Sequence, residues 1–193
     1  MFELASAVFA RNSTLHRALG ISIATYRQGL QASFDKMLAE NLSFAAIDGA
    51  SGALVGCMIV TDFHNSLTPA PNASDAKAPI DALTQALATR YLALRAIAPG
   101  EVILVDMAAI ADGYAGRGLY QSLRRACHAH AKAQGFGRVV GELSSAATQH
   151  VVLNKLGHQK LAEIKYREFE FRGEYPFASI TAPDSIVLAE GLL

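Results

Sequence analysis

No excess of charge of either sign marks this chain: 17 Lys and Arg balance 17 Asp and Glu over 193 residues. A surface so balanced offers little field to gather nucleic acid or to hold an anionic membrane, and no basic run stands out. Aromatic residues make up only 8% and form no stacking platform for bases. Long apolar runs are missing as well, so no segment is expected to span a bilayer. The first twenty residues, MFELASAVFARNSTLHRALG, lack the basic, apolar and small-residue succession of a secretory leader. Cysteine is scarce. Cys57 and Cys127 have no metal-ligand spacing, so free buried thiols in a reducing cytoplasm are expected, with no bound metal.

What the chain has in quantity is apolar residues, 51% of the total. That suffices for one domain over residues 1–193 with a substantial core. Helical spacing places Ile23, Tyr26, Leu30, Phe34, Met37 and Leu38 on one face, with a shorter helical turn before them near 14–19. LSFAAID and ALVGCMIVTDF are two strand-like runs joined by a tight turn, Asp48-Gly49 to Ser51-Gly52. A turn-rich segment over 64–79 contains Pro69, Pro71 and Pro79 and is expected as a surface loop. Helical spacing resumes at Leu83, Leu87, Tyr91 and Leu94, up to Pro99-Gly100. EVILVDMAAI and RVVGEL are strands, each followed by a helix, and QKLAEIKYREFEF alternates as a closing strand pair. The fold class is α/β of the α+β kind: a central mixed, mostly antiparallel sheet flanked by helices.

The most informative stretch is VDMAAIADGYAGRGLYQSLRRACHAHAKAQG, residues 105 to 135. A strand runs into glycines and a helix starts at once. A helix start exposes unpaired N–H groups and a partial positive charge, which suit a phosphate. Glycines let the backbone approach it, and Arg117 adds a cation. A ligand-free turn between strand and helix is the alternative. Known phosphate motifs do not match: a dinucleotide loop needs glycine where Gln121 stands, and no Gly-Lys-Ser/Thr is present.

A third pattern does match. Gly113-Tyr114-Ala115-Gly116-Arg117-Gly118 resembles the Arg/Gln-x-x-Gly-x-Gly/Ala loop that Gcn5-related N-acetyltransferases carry after their fourth strand, with Gly113 in place of the leading Arg/Gln. LNKLGH is similar to that family's Tyr-x-Lys-x-Gly-Phe helix end, with Leu153 replacing the tyrosine and His158 the phenylalanine. The stretch from SSAATQH to IKYREFEFRGEYPF resembles the arylalkylamine or dopamine N-acetyltransferase branch. The resemblance covers about 102–177.

It implies a single acetyltransferase domain that uses acetyl-coenzyme A. Backbone groups of Met107, Ala108, Ala109 and Ile110 would hold pantetheine. Amides of Tyr114, Ala115, Gly116, Arg117, Gly118 and Leu119 would hold pyrophosphate, with Leu153 beside the thioester. The acceptor implied is a small primary amine, and homodimerisation is left open. A non-catalytic acyl-coenzyme-A binder and a protein N-acetyltransferase are the alternatives.

Direct attack by an amine needs a proton acceptor, because an alkylamine is mostly protonated at neutral pH. Asp106, a lone carboxylate in an apolar strand, is the leading candidate, and burial would raise its pKa. Glu142, Asp62 and His64 end strands where each could line an amine pocket. The proton donor is a gap: Tyr114, Tyr120 and Tyr166 are candidates by residue type alone, and Tyr166 could equally be core. Ala146 stands where relatives place an asparagine. His150, and His128 with His130, are expected on solvated helix faces.

Overall fold

The computed structural model describes residues 1–68 and 75–193. Seven helices and six strands follow in order: α1 (Phe2–Asn12), α2 (Thr14–Ala18), α3 (Ile23–Ala39), β1 (Phe44–Ile47), β2 (Leu54–Asp62), α4 (Phe63–Ser66), α5 (Ala78–Leu92), β3 (Val102–Ile110), α6 (Leu119–Ala133), β4 (Arg138–Leu143), α7 (Ala146–Gln149), β5 (Gln159–Lys165) and β6 (Ser185–Leu192). The helix begun by α7 widens into a π-helical turn at His150–Lys155. All six strands form one sheet in the order β1-β2-β3-β4-β6-β5. Only β3 and β4 run parallel; every other pair is antiparallel.

Strand β3 is buried on both faces, which explains an apolar run broken only by Asp106. Ile103 and Val105 face α6 with its Leu123, Cys127 and Ala131. Val102 and Leu104 face α5 with Leu83, Leu87 and Tyr91. Further along, Met107 and Ala109 meet Ala5 and Val8 of α1 and Tyr26, Leu30 and Phe34 of α3. Serines start three of the helices: Ser13 accepts from the His16 N–H, Ser22 from the Thr25 N–H and Ser145 from the Thr148 N–H.

Three expectations are corrected and one helix is added. Residues 2–12 form α1, whose Ala5, Val8 and Phe9 make an apolar face against the sheet. The helix over 78–92 ends well before Pro99-Gly100, so Leu94 is left 58% exposed. QKLAEIKYREFEF supplies one strand, not two: after β5 the chain turns at Tyr166–Glu168, because the Tyr166 side chain dives into the core against Phe177. The partner of β5 is β6, which inserts between β4 and β5. Of the expected loop over 64–79, the flanks are short helical turns, at 63–66 and 75–77. Pro69 and Pro71 lie outside the described residues.

Gly191 of β6 lies under the ring of His158, which stacks on His128 at 5.6 Å between centroids. A Cβ at Gly191 would sit 2.5 Å from His158 Nε2. Gly191→Ala is therefore expected to cost about 1–3 kcal/mol through overpacking, read as a lowered thermal midpoint. An unchanged midpoint would show that the histidine pair repacks freely. His128 is thus half-buried, not on a solvated face. His150 is exposed, as expected, and pairs with Asn154.

Candidate active site

A β-bulge and an early end to pairing create the site. Along β3, Val105 lies opposite Val60 and Met107 opposite Ile59, so Asp106 is the extra residue of a bulge. Bulges re-aim side chains and bend strands. On the other edge, β3 pairs with β4 from Val102 opposite Arg138 to Val105 opposite Gly141, and there the pairing stops. Asp106 and Glu142 are the next residue on each strand, at the mouth of the seam. The β4 end is held away by Gln149, whose side-chain amide donates to Leu143 O and Ser185 O, each at 3.0 Å.

The seam opens into a cavity of about 140 Å³. Val8, Phe9 and Thr14 line it from one face of the sheet, and Tyr120 and Arg124 of α6 from the other. Asp106 and Glu142 lie between, with Ser144 and Thr148 beyond them. Ser144 is fixed from behind, since its carbonyl accepts from Thr14 Oγ1 and Tyr166 Oη, each at 3.4 Å.

Among the described residues, neither the Asp106 nor the Glu142 side chain has a hydrogen-bond or ion-pair partner. Asp106 is open to water through the cavity yet has protein on most sides. Burial pushes its carboxyl up, against the pull of Lys77. Glu142 is pushed up to about 8 by burial and then by the charge of Asp106. Two carboxylates that share a confined site cannot both ionise cheaply. At neutral pH Glu142 therefore keeps its proton, and the negative charge of the pair forms first on Asp106.

The glycine loop lies at the far end of β3. Gly113, Gly116 and Gly118 all have positive φ, 81°, 76° and 76°. A Cβ at any of the three would meet nothing within 4 Å, so the space over the loop is open. Gly118 is the N-cap of α6 and no side chain caps the helix, which leaves its first N–H groups available. Arg117 stacks on the Tyr114 ring, 4.7 Å from its centroid, and Tyr114 Oη donates to Asp48 Oδ2 at 3.2 Å. On the other side Asp112 pairs with Arg11 of α1 at 2.8 Å. The loop is thus pinned at both flanks, and its donors fit a diphosphate. Beyond Val105 the β4-facing edge of β3 has no strand partner, so the Met107–Ile110 backbone can pair with an extended amide chain.

The structure brings Asp106 and Glu142 together at the cavity, with Met107, Ala108 and Tyr120 on its lining, and places Tyr166, Leu153, Asp62 and His64 elsewhere. Tyr166 is fully buried in the core, and its hydroxyl props the cavity wall through Ser144 O instead of facing the cavity. Leu153 packs beside Val152 and Leu143, away from the cavity lining. Asp62 caps α4 by accepting from the His64 N–H at 2.9 Å and also accepts from the Gly100 N–H at 2.7 Å, a structural part that leaves neither Asp62 nor His64 at the cavity. Sequence reasoning missed the α1 wall, Ser144, Thr148 and Arg124. For α1 a signal existed in the spacing of Ala5, Val8 and Phe9; for Arg124 none did.

No protein-family profile and no curated sequence matches the chain. Solved structures do match. The C-terminal condensation domain of Ebony in complex with β-alanyl-dopamine aligns with a TM-score of 0.89 at 15% identity, over 100% of this chain and 92% of that one. A mosquito arylalkylamine N-acetyltransferase, like 5b, aligns with a TM-score of 0.77 at 17% identity, over 100% and 95%. The Drosophila melanogaster polyamine N-acetyltransferase, which forms N-acetylagmatine, aligns with a TM-score of 0.72 at 15% identity, over 100% and 95%. The chain therefore shares its fold with these structures.

Proposed function

We propose that the chain is an amine N-acyltransferase that moves an acetyl group from acetyl-coenzyme A to a small primary amine. The observation that carries this reading is the seam: Asp106 and Glu142, two carboxylates without partners among the described residues, face a cavity where β3 and β4 part. The open glycine loop at the end of the same strand supports it.

The thioester donor supplies an activated acyl carbon. The chain's part is placement and proton transfer. The β3 edge and the α6 start align the donor along the seam, which removes much of the entropic barrier. The negative seam draws a cationic amine, and Asp106 takes the proton that the amine must lose before or during attack. Backbone N–H groups of the unpaired β3 edge are available to a developing oxyanion. Thiol release from acetyl-coenzyme A with a panel of aryl and alkyl amines tests the reading. Binding without release on every acceptor would favour the non-catalytic alternative, and release with peptides alone would favour a protein acetyltransferase.

A second donor is favoured by one specific observation. The structure with the TM-score of 0.89 holds β-alanyl-dopamine, an amide of an aminoacyl group and an arylalkylamine. The loop also lacks the leading Arg/Gln of the coenzyme A pattern. The same panel run with a β-alanyl thioester decides between an acetyl and an aminoacyl donor.

Gly118→Val tests the loop by itself. A β-branched side chain at φ 76° is strained and would occupy the open space. Coenzyme A affinity is expected to fall at least about tenfold, measured by calorimetry; unchanged affinity would remove the diphosphate from this loop.

A further inference from the structure

The tyrosine that the family resemblance would put near the thioester is Leu153 here, so a departing thiolate needs another partner. We propose that Tyr120, held by the buried guanidinium of Arg124, protonates it, an assignment that rests on the acyl-transfer reading of the cavity.

Arg124 is 1% exposed and forms no ion pair among the described residues. Its Nε donates to Tyr120 Oη at 3.2 Å. Its Nη1 is buried, with no hydrogen-bond partner among the described residues. The guanidinium lies against β4 at a place only glycine leaves free: a Cβ at Gly141 would stand 2.9 Å from Nη2. Gly141 is also the last residue of β4 paired with β3. The buried cation is thus stationed at the closed end of the seam, and Tyr120 and Arg124 both line the cavity.

An unpaired buried cation is costly, and a group that develops negative charge beside it recovers that cost. The cavity is polar in a useful sense. Carboxylates sit where the sheet opens, and a cation with a phenol sits on the α6 side. Tyr120 Oη accepts from Arg124, so its own proton is directed elsewhere, and among the described residues it has no acceptor.

The step balances. The amine nitrogen forms a bond to the acyl carbon and yields a proton to the Asp106 carboxylate. The C–S bond breaks with its electron pair on sulfur. Sulfur takes the Tyr120 proton. The phenolate, held by Arg124 Nε–H, regains a proton from water, and Asp106 returns its proton to water, leaving an amide and a thiol with both side chains restored.

The test varies the leaving group. An aryl thiolate departs without a proton, whereas an alkyl thiolate of the pantetheine kind needs one. Tyr120→Phe is expected to lower kcat/KM about tenfold or more with S-acetylpantetheine, and by less than a third of that factor with S-phenyl thioacetate. Arg124→Lys should show the same split, and Tyr120→Phe carries the test where an Arg124 variant fails to fold. Equal losses with both thioesters would mean a structural role and overturn the proposal. A wild-type protein that turns over neither thioester, in its acetyl or its β-alanyl form, nor acetyl-coenzyme A would instead overturn the amine acyltransferase reading beneath it.

Discussion

Asp106→Asn is expected to lower kcat for acyl transfer to a primary alkylamine by about a hundredfold at pH 7, the lower end of what a positioned proton acceptor contributes. Above about pH 9.5 the loss should be much smaller, because more of the amine is then already free base. Two features single out Asp106 as the acceptor and Glu142 as the proton holder. Lys77 pulls the Asp106 carboxyl back toward ionisation. Glu142 is held up by burial and by the Asp106 charge itself, to about 8. The substitution removes that charge, so Glu142 should titrate lower in the variant and the acid limb of the rate profile should move down. Steady-state rates across pH 6 to 10 check both statements; a uniform loss at every pH would give Asp106 a purely architectural part.

Glu142→Gln should change stability in a way that depends on pH. The native carboxyl keeps its proton up to about pH 8, whereas the usual value is 4.5. Between those values the native state binds more protons than the unfolded state, so stability must fall as pH rises. The stabilisation of the protonated form is full below the unfolded value and is lost as pH climbs through the folded one. The shift corresponds to a few kcal/mol at most, on the order of 1.4 per pK unit. Glutamine keeps the shape and cannot ionise. The wild-type thermal midpoint is therefore expected to drop by several degrees more than that of the variant between pH 6 and pH 9. The variant should be the more stable protein at pH 9. Parallel midpoint curves would contradict the buried setting of Glu142.

Much of this arrangement is written in local residue patterns. The apolar run at 102–110 with one carboxylate marks a strand buried on both faces and singles out Asp106. The glycines at 113, 116 and 118 mark a loop with positive φ before a helix, and the loop has that geometry. The α3 face at Tyr26, Leu30 and Phe34 packs as its spacing dictates. The rest depends on contacts far apart in the chain. The bulge at Asp106 exists because β2 is one residue short across from it. The seam opens where pairing stops, and no residue type marks that point. Arg124 reads as a solvated basic residue on an amphipathic helix; its burial follows from a missing side chain at Gly141 on another element. Tyr166 is ambiguous for the converse reason, since a tyrosine in an alternating run looks the same in a pocket as in a core. The strand at 185–192 did carry a signal, an apolar run after Pro183-Asp184.

That strand has a consequence for how the molecule assembles. Residues 185–192 thread between β4 and β5, two segments that leave the ribosome earlier. Until they arrive, both neighbours present bare main-chain edges, and the cavity wall at Ser144 has no sheet behind it. Closure of the sheet must wait for residues 185–192, so the transition to the native state carries long-range pairing and is expected to be slow. Nascent chains halted before position 185 would expose two sticky rims, a natural point for chaperones to engage.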